Sequence, residues 1–351
     1  MLFVILSVRR RIATRKPGAF MKNVAIFGAG RIGRIHAANL AALPGVSLKY
    51  VCDPIAAAAS ELAAKHGAAV STVDAVFADA AVDVVVIASS TDTHSDLITR
   101  AAAAGKNIFC EKPVDLSAAR ARTCADIVKA CGVACMIGFQ RRFDPTFDEA
   151  RVRLDRGEIG NPEMLVITSR DPGAPPPEYI KASGGIFRDM LIHDFDVFRW
   201  ILCADGDEAQ WLSATGSVLT DPAIKDLGDM DSTAVTIRTR KGRLCQINTT
   251  RRAAYGYDQR FEVLGSRGML QCGNHTPSEV IQWDASGIRG DKPENFFLQR
   301  YSAAYRLEMA HFFECLQSGA AFRTTIADGV AAQQLADAAA DSCKSGQPIS
   351  F

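Results

Sequence analysis

The sequence predicts an α/β protein of two domains: an N-terminal doubly wound parallel sheet, then a C-terminal α+β domain with a large open mixed or antiparallel sheet. Three observations predict it. Strand-type and helix-type segments alternate from Asn23 to Ile137. Beyond Arg141 the pattern changes to β-type runs gathered after a helical stretch. A chain of 351 residues also exceeds what one compact core usually holds. The expected division is an extension outside the fold over 1–20, a first domain over 21–141 and a second over 142–351.

Asn23–Phe27 is a short apolar run that reads as a strand. Gly28-Ala29-Gly30-Arg31-Ile32-Gly33 follows at once, and Ile32–Leu43 has helical spacing with Pro44-Gly45 as its stop. Ser47–Cys52 is a second strand ending in Asp53, and Ala56–His66 is an alanine-rich helix. Asp83–Ala88 is nearly pure Val and Ile, the composition of a strand buried on both faces. Asp92–Ala104 reads as helix, Asn107–Cys110 as strand, Ser117–Cys131 as helix and Val133–Ile137 as strand.

In the second half, helical Pro145–Arg156 leads into a strand, Met164–Ser169, and a loop with Pro172, Pro175, Pro176 and Pro177. Gly184-Gly185 precedes Ile186–Leu202, which reads as one helix. The β-type runs are Trp211–Val218, Ser232–Thr239, Arg243–Thr250, Arg260–Leu264 and Val280–Trp283. Ser302–Gln317 and Ile326–Ser342 read as closing helices.

Composition excludes several classes. Apolar residues at 48% and charged residues at 23% are ordinary for a globular chain, not a disordered or fibrous one. A net charge of +1 argues against a dedicated nucleic-acid binder. Leu2–Leu6 is too short to span a bilayer, and it precedes Arg9, Arg10 and Arg11, the reverse of a secretory signal. The ten cysteines show no C-x-x-C pair, which reads as reduced thiols in a cytoplasmic protein. No H-E-x-x-H or comparable ligand set occurs, so no metal is expected.

The chemistry begins at the G-x-G-x-x-G loop. Its glycines permit a tight turn, a close backbone approach by a pyrophosphate and close helix–strand packing. The next helix aims its free N–H groups at the same place. The loop follows a strand and opens a helix, and Asp53 stands 25 positions after Gly28 at the end of the next strand. Gly28, Gly30, Arg31, Ile32 and Gly33 therefore read as a dinucleotide site. Asp53, able to hold ribose hydroxyls and repel a 2′-phosphate, favours NAD over NADP. Ser89, Thr91 and His94, with Glu111 and Lys112, lie after two further strands, where such sheets bind ligands. Asp189 and His193 are four apart, so on one helix they share a face and can act as an acid–base pair. A helix-surface ion pair is the alternative reading.

Together these motifs resemble the Gfo/Idh/MocA oxidoreductases. The resemblance rests on Gly28–Gly33, Glu111-Lys112-Pro113, and Gly184-Gly185 followed by Asp189, His193 and Asp194, and it covers nearly all of 21–351. Within that family the sequence is most similar to myo-inositol 2-dehydrogenases, on Gly138–Asp144, Ile192–Asp196 and Tyr255–Asp258. The resemblance implies a Rossmann domain, NAD as cofactor, and Lys112, Asp189 and His193 as the catalytic set. It also implies Arg141 and Tyr257, with Gln140 and Tyr255, on the substrate side. Gln140 stands where the inositol enzymes lead one to expect methionine. The implied activity is NAD-dependent oxidation of a cyclic polyol, myo-inositol to 2-keto-myo-inositol, with another inositol isomer or a sugar as the alternative substrate. The implied assembly is a homo-oligomer, a tetramer or dimer, built on the open sheet.

Overall fold

The structure is a computed structural model that describes residues 21–351, so the expected extension over 1–20 lies outside the described residues. The first unit runs β1 (Lys22–Phe27), α1 (Arg31–Ala41), β2 (Val46–Cys52), α2 (Ala56–His66), β3 (Ala69–Val70), α3 (Val73–Ala78), β4 (Val84–Ile87), α4 (His94–Ala103), β5 (Asn107–Glu111), α5 (Ala118–Cys131) and β6 (Cys135–Gly138). Its six strands are all parallel, in the order β3-β2-β1-β4-β5-β6. That order reverses between β1 and β4, the switch point at which doubly wound sheets open a ligand crevice. Val84, Val85, Val86 and Ile87 are fully buried, as a strand covered on both faces requires.

The second unit adds α6 (Pro145–Asp155), β7 (Pro162–Arg170), α7 (Pro177–Ser183), α8 (Ile186–Asp189), α9 (Leu191–Leu202), β8 (Ala209–Ser217), α10 (Ala223–Asp226), β9 (Ser232–Thr239), β10 (Leu244–Thr250), β11 (Asp258–Gly265) and β12 (Gly268–Cys272). The chain continues through β13 (Ile281–Asp284), β14 (Gly287–Gly290), α11 (Phe297–Arg300), α12 (Ser302–Ser318), α13 (Ile326–Ser345) and β15 (Ile349–Ser350). Seven strands form a mixed sheet, β12-β11-β7-β10-β9-β8-β15, in which only β7 and β10 pair in parallel. Alternation along these strands turns Ile167, Val235, Ile237, Ile247 and Val263 inward onto Phe195 and Phe198 of α9. The opposite face leaves Leu244, Leu264 and Met269 exposed.

Three expectations are corrected. Val280–Trp283 is not part of the large sheet: β13 pairs with β14 in a separate exposed hairpin. The proline-rich loop holds a helix, α7, because Pro177 presets the first helical turn and left-handed Gly184 ends it. Ile186–Leu202 is two helices, α8 and α9, broken at Met190.

The two carboxyl-terminal helices tie the units together. Tyr305, Met309 and Phe312 of α12 pack into the first-domain core with Phe109 and Met136. Along α13, Val330 and Ala332 join a first-domain cluster while Leu335, Ala336 and Ala339 join the second. Arg142, on the 3-10 turn Gln140–Phe143 that leaves β6, fastens this junction. Its Nε donates to Asp196 at 2.8 Å, its Nη1 to the Arg323 carbonyl at 2.8 Å and its Nη2 to Asp328 at 3.1 Å. Breaking a buried pair strands the partner charge, at a cost of about 3–5 kcal/mol. We therefore expect Arg142→Ala to lower the urea midpoint strongly, whereas Arg153→Ala, which removes an exposed pair with Glu149, leaves it in place.

Candidate active site

The glycine loop is built as its spacing demands. Gly28 has φ +103°, and a Cβ there would stand 2.4 Å from the Ala88 carbonyl oxygen. A Cβ on Gly33 would stand 1.9 Å from the Gly28 oxygen, so helix α1 can approach its loop only without a side chain. At Gly30 a Cβ would meet nothing within 4 Å, which leaves open space above the loop. Asp53 lies beside it, accepting from Ala29 N at 2.6 Å and Ile55 N at 2.8 Å. Ile32 is half buried, and Arg31 is exposed with its guanidinium over the ring of Phe296. A tight turn, an open helix N-terminus and a strand-end carboxylate fit a dinucleotide, with the pyrophosphate at Gly30 and a ribose at Asp53.

The loops after β4 and β5 form the next wall. Ser89 is half buried, its hydroxyl 2.6 Å from that of Thr93, and Thr91 starts the 3-10 turn that follows. His94 requires correction as a cofactor contact. Its ring is 1% exposed, with Nδ1 2.7 Å from the Pro113 carbonyl and Nε2 3.2 Å from that of Ser89. It joins the two loops through these carbonyls. Glu111 is also mostly enclosed: one oxygen lies 2.6 Å from Nε2 of buried His36. A Cβ on Gly138 would fall 3.1 Å from this carboxylate, a tight contact. Lys112, next along the chain, points across the cleft. Its Nζ donates to the Asp189 carbonyl at 2.8 Å and lies 3.6 Å from Asp189 Oδ1.

The structure thus brings Lys112 and Asp189 together across 77 residues of sequence. The expected pairing of Asp189 with His193 is corrected. The helix break at Met190 separates them, and the carboxylate instead takes the Tyr179 hydroxyl at 2.8 Å and faces Arg251 Nη2 at 3.6 Å. His193 lies at the start of α9, edge-on to Phe139, with Nδ1 buried and unpartnered among the described residues. Burial, then the charges of Lys112 and Arg141, hold its imidazole well below the usual histidine range. This reverses the expectation that a neighbouring carboxylate raises its basicity. The ring is neutral, in the form that accepts a proton.

The four substrate-side candidates divide. Arg141 is 3% exposed, its guanidinium bonded to Asp194 and, at 3.4 Å, to Ser169. These bonds fix its guanidinium against α9 and β7. Gln140 is equally buried, with its amide oxygen unpartnered among the described residues. Tyr257 is buried with its ring edge-on to Tyr301. Tyr255 is more open, but its hydroxyl donates to Asp258 at 2.6 Å and accepts from Arg170 at 3.0 Å.

Sequence reasoning missed Asp171, Tyr179, Arg251 and Asp229. Asp171 follows β7; its backbone is pinned by Thr250 O and Ala253 N, and its carboxylate faces Asp189, Arg141 and Arg251. Burial, then the Asp189 charge, pushes it up to about 7. Arg251 is 1% exposed between Asp189 and Asp229. Asp229 in turn accepts from Ile186 N at 3.0 Å and so holds the start of α8. The only local signal was the pair of glycines before Ile186: Gly185 has φ +83°, and a Cβ there would stand 2.9 Å from Asp229.

A neutral imidazole, an ammonium group and ionisable carboxylates thus gather where the first sheet's ligand edge meets the second domain. That set can take a proton from a hydroxyl and stabilise the oxygen left behind. No group of three or more His, Cys, Asp or Glu suited to a metal occurs among the described residues. No helix among them is long and apolar enough to cross a membrane.

Comparisons with known proteins agree. A model described as the oxidoreductase family's NAD-binding Rossmann fold matches residues 22–139, and the same family's C-terminal alpha/beta domain matches 151–351. The inositol 2-dehydrogenase of Rhizobium meliloti (strain 1021) is 46% identical over 326 residues, 93% of this chain and 98% of that protein. The crystal structure of a myo-inositol dehydrogenase from Corynebacterium glutamicum ATCC 13032 is 42% identical with a TM-score of 0.90, covering 95% of this chain and 99% of that one. A scyllo-inositol dehydrogenase from Lactobacillus casei, solved with NAD(H) and scyllo-inositol, is 26% identical with a TM-score of 0.87, covering 94% and 99%. The chain belongs to the Gfo/Idh/MocA oxidoreductase family.

Proposed function

We propose that the chain oxidises myo-inositol to 2-keto-myo-inositol with NAD, and that Lys112, Asp189 and His193 are its catalytic set. The observation that carries this reading is the meeting of Lys112 with Asp189 across the cleft, with the Lys112 charge acting on His193. NAD, when bound, supplies the hydride acceptor. Gly30 leaves open space where its pyrophosphate would lie, Gly28 and Gly33 let the loop and helix α1 close tightly beside it, and Asp53 would receive its ribose.

His193 takes the hydroxyl proton as the carbon loses hydride. Nδ1 is enclosed and unpartnered among the described residues, and Nε2 is the nitrogen we assign to the hydroxyl. Lys112 donates to the same oxygen and stabilises its developing charge. Asp189 holds the lysine near 3.6 Å. Asp171, ionised above about pH 7, accepts hydrogen bonds from ring hydroxyls. The exposed apolar side chains Leu244, Leu264 and Met269 on the open sheet support a homo-oligomer built on that face. The ten free thiols suit a cytoplasmic setting.

A panel of myo-inositol, scyllo-inositol, glucose and xylose, followed at the NADH absorbance, tests the substrate. We expect myo-inositol to give the highest kcat/KM, and a sugar ahead of both inositols would contradict the reading. His193→Ala should lower kcat by about 10²–10⁴ with NAD affinity retained. The rise of kcat/KM with pH should centre near 7, because Asp171 binds a proton below that value and loses it above. Asp171→Asn should flatten that limb. His193 contributes no limb there, since its burial keeps it neutral to lower pH.

A further inference from the structure

The segment from Pro172 to Gly185 straps the cleft. Its helix α7 packs against the 3-10 turn Thr91–Thr93 of the first domain, while Tyr179 reaches Asp189 of the second. Proline at its start and the left-handed pair Gly184-Gly185 at its end fix the helix in place, and Ile180 anchors it at 4% exposure. Half of Tyr179 is open to solvent, yet its hydroxyl turns inward and donates to Asp189 Oδ1 at 2.8 Å.

The other groups facing that carboxylate stand further off. Lys112 Nζ lies 3.6 Å from Oδ1 and Arg251 Nη2 3.6 Å from Oδ2. Charges at such distances attract the carboxylate without fixing its direction, whereas a hydrogen bond of ordinary length fixes both distance and angle. Among the described residues, Tyr179 is the side chain that makes such a bond to Asp189.

We propose that Tyr179 is a positioning residue for the oxidation: the Asp189 main-chain carbonyl holds Lys112 Nζ at 2.8 Å, and the Tyr179 hydrogen bond sets the direction in which the Asp189 carboxylate faces that amine. The proposal rests on the reading of Asp189 as a member of the catalytic set. The phenol remains a donor at working pH, because burial and the Asp189 charge push it above the usual tyrosine range. The Tyr179 hydroxyl bonds Asp189 and, among the described residues, no residue of the glycine loop or β5.

The test is a double-mutant cycle on the full chain with NAD and myo-inositol, using Tyr179→Phe, Asp189→Asn and the two combined. Tyr179→Phe keeps the ring and the strap and removes only the hydroxyl. A hydrogen bond to a charged group is worth about ten- to a hundredfold. We expect Tyr179→Phe to lower kcat by that factor, with KM for the polyol and affinity for NAD changed less than about twofold. In the Asp189→Asn background the same substitution should cost less than about twofold. An equal loss in both backgrounds would mean that Tyr179 acts on packing alone, and overturns the proposal. So does a wild-type rate for Tyr179→Phe beside an impaired Asp189→Asn, which leaves the catalytic set standing. A wild-type rate for Asp189→Asn removes Asp189 from that set, and the proposal with it.

Discussion

Two adjacent arginines on the turn after β6 decide where the chemistry can happen. Arg141 pairs with Asp194 and Arg142 with Asp196, both inside the protein and both on α9. A buried ion pair is costly to assemble and gives little net stability, but a shifted helix would leave its charges unpaired. The two pairs therefore act as a register. They hold α9 against the edge of the parallel sheet, and His193, one residue before Asp194, is carried to the mouth of the crevice. Asp328 adds a second lock: it caps α13 through Thr325 and accepts from Arg142 and Arg199.

Once α9 is placed, the electrostatics of the cleft follow. Lys112, Arg141 and Arg251 face Asp171, Asp189, Asp194 and Asp229 within one poorly hydrated region. Burial, then the charges of Lys112 and Arg141, keeps His193 neutral, and burial, then the Asp189 charge, raises Asp171 to about 7. A neutral base beside an ammonium group suits an alcohol, whose proton must leave while negative charge is stabilised on oxygen. The carboxylate expected beside the imidazole instead accepts from Tyr179 and faces the lysine of the first domain.

Local physics made the first domain legible. Gly28, Gly30 and Gly33 are fixed by backbone clearance, Asp53 by strand length, and the buried run Val84–Ile87 by cover on both faces. Lys112 was legible as a strand-end residue. The break at Met190 was not, because Ile186–Leu202 keeps helical apolar spacing across it; the divergence depends on Asp229 and Arg251, about 40 and 60 positions away. Asp171 and Tyr179 were hidden for the same reason. One follows a strand whose register comes from β10 and β11, and the other sits among prolines that read as loop. His94 and Arg141 have the right residue types near the right place, and their burial, bonded to loop carbonyls and to Asp194, could not be read from the sequence.

The central claim is that an amine from the first domain and an imidazole from the second act on one hydroxyl. Single-turnover NADH formation by Lys112→Met, loaded with NAD and mixed with saturating myo-inositol, tests it most directly. The account predicts that hydride transfer slows by about a hundredfold or more while NAD binds as in the wild type, the loss expected when a charge-stabilising donor is removed. Transfer at the wild-type rate would contradict it.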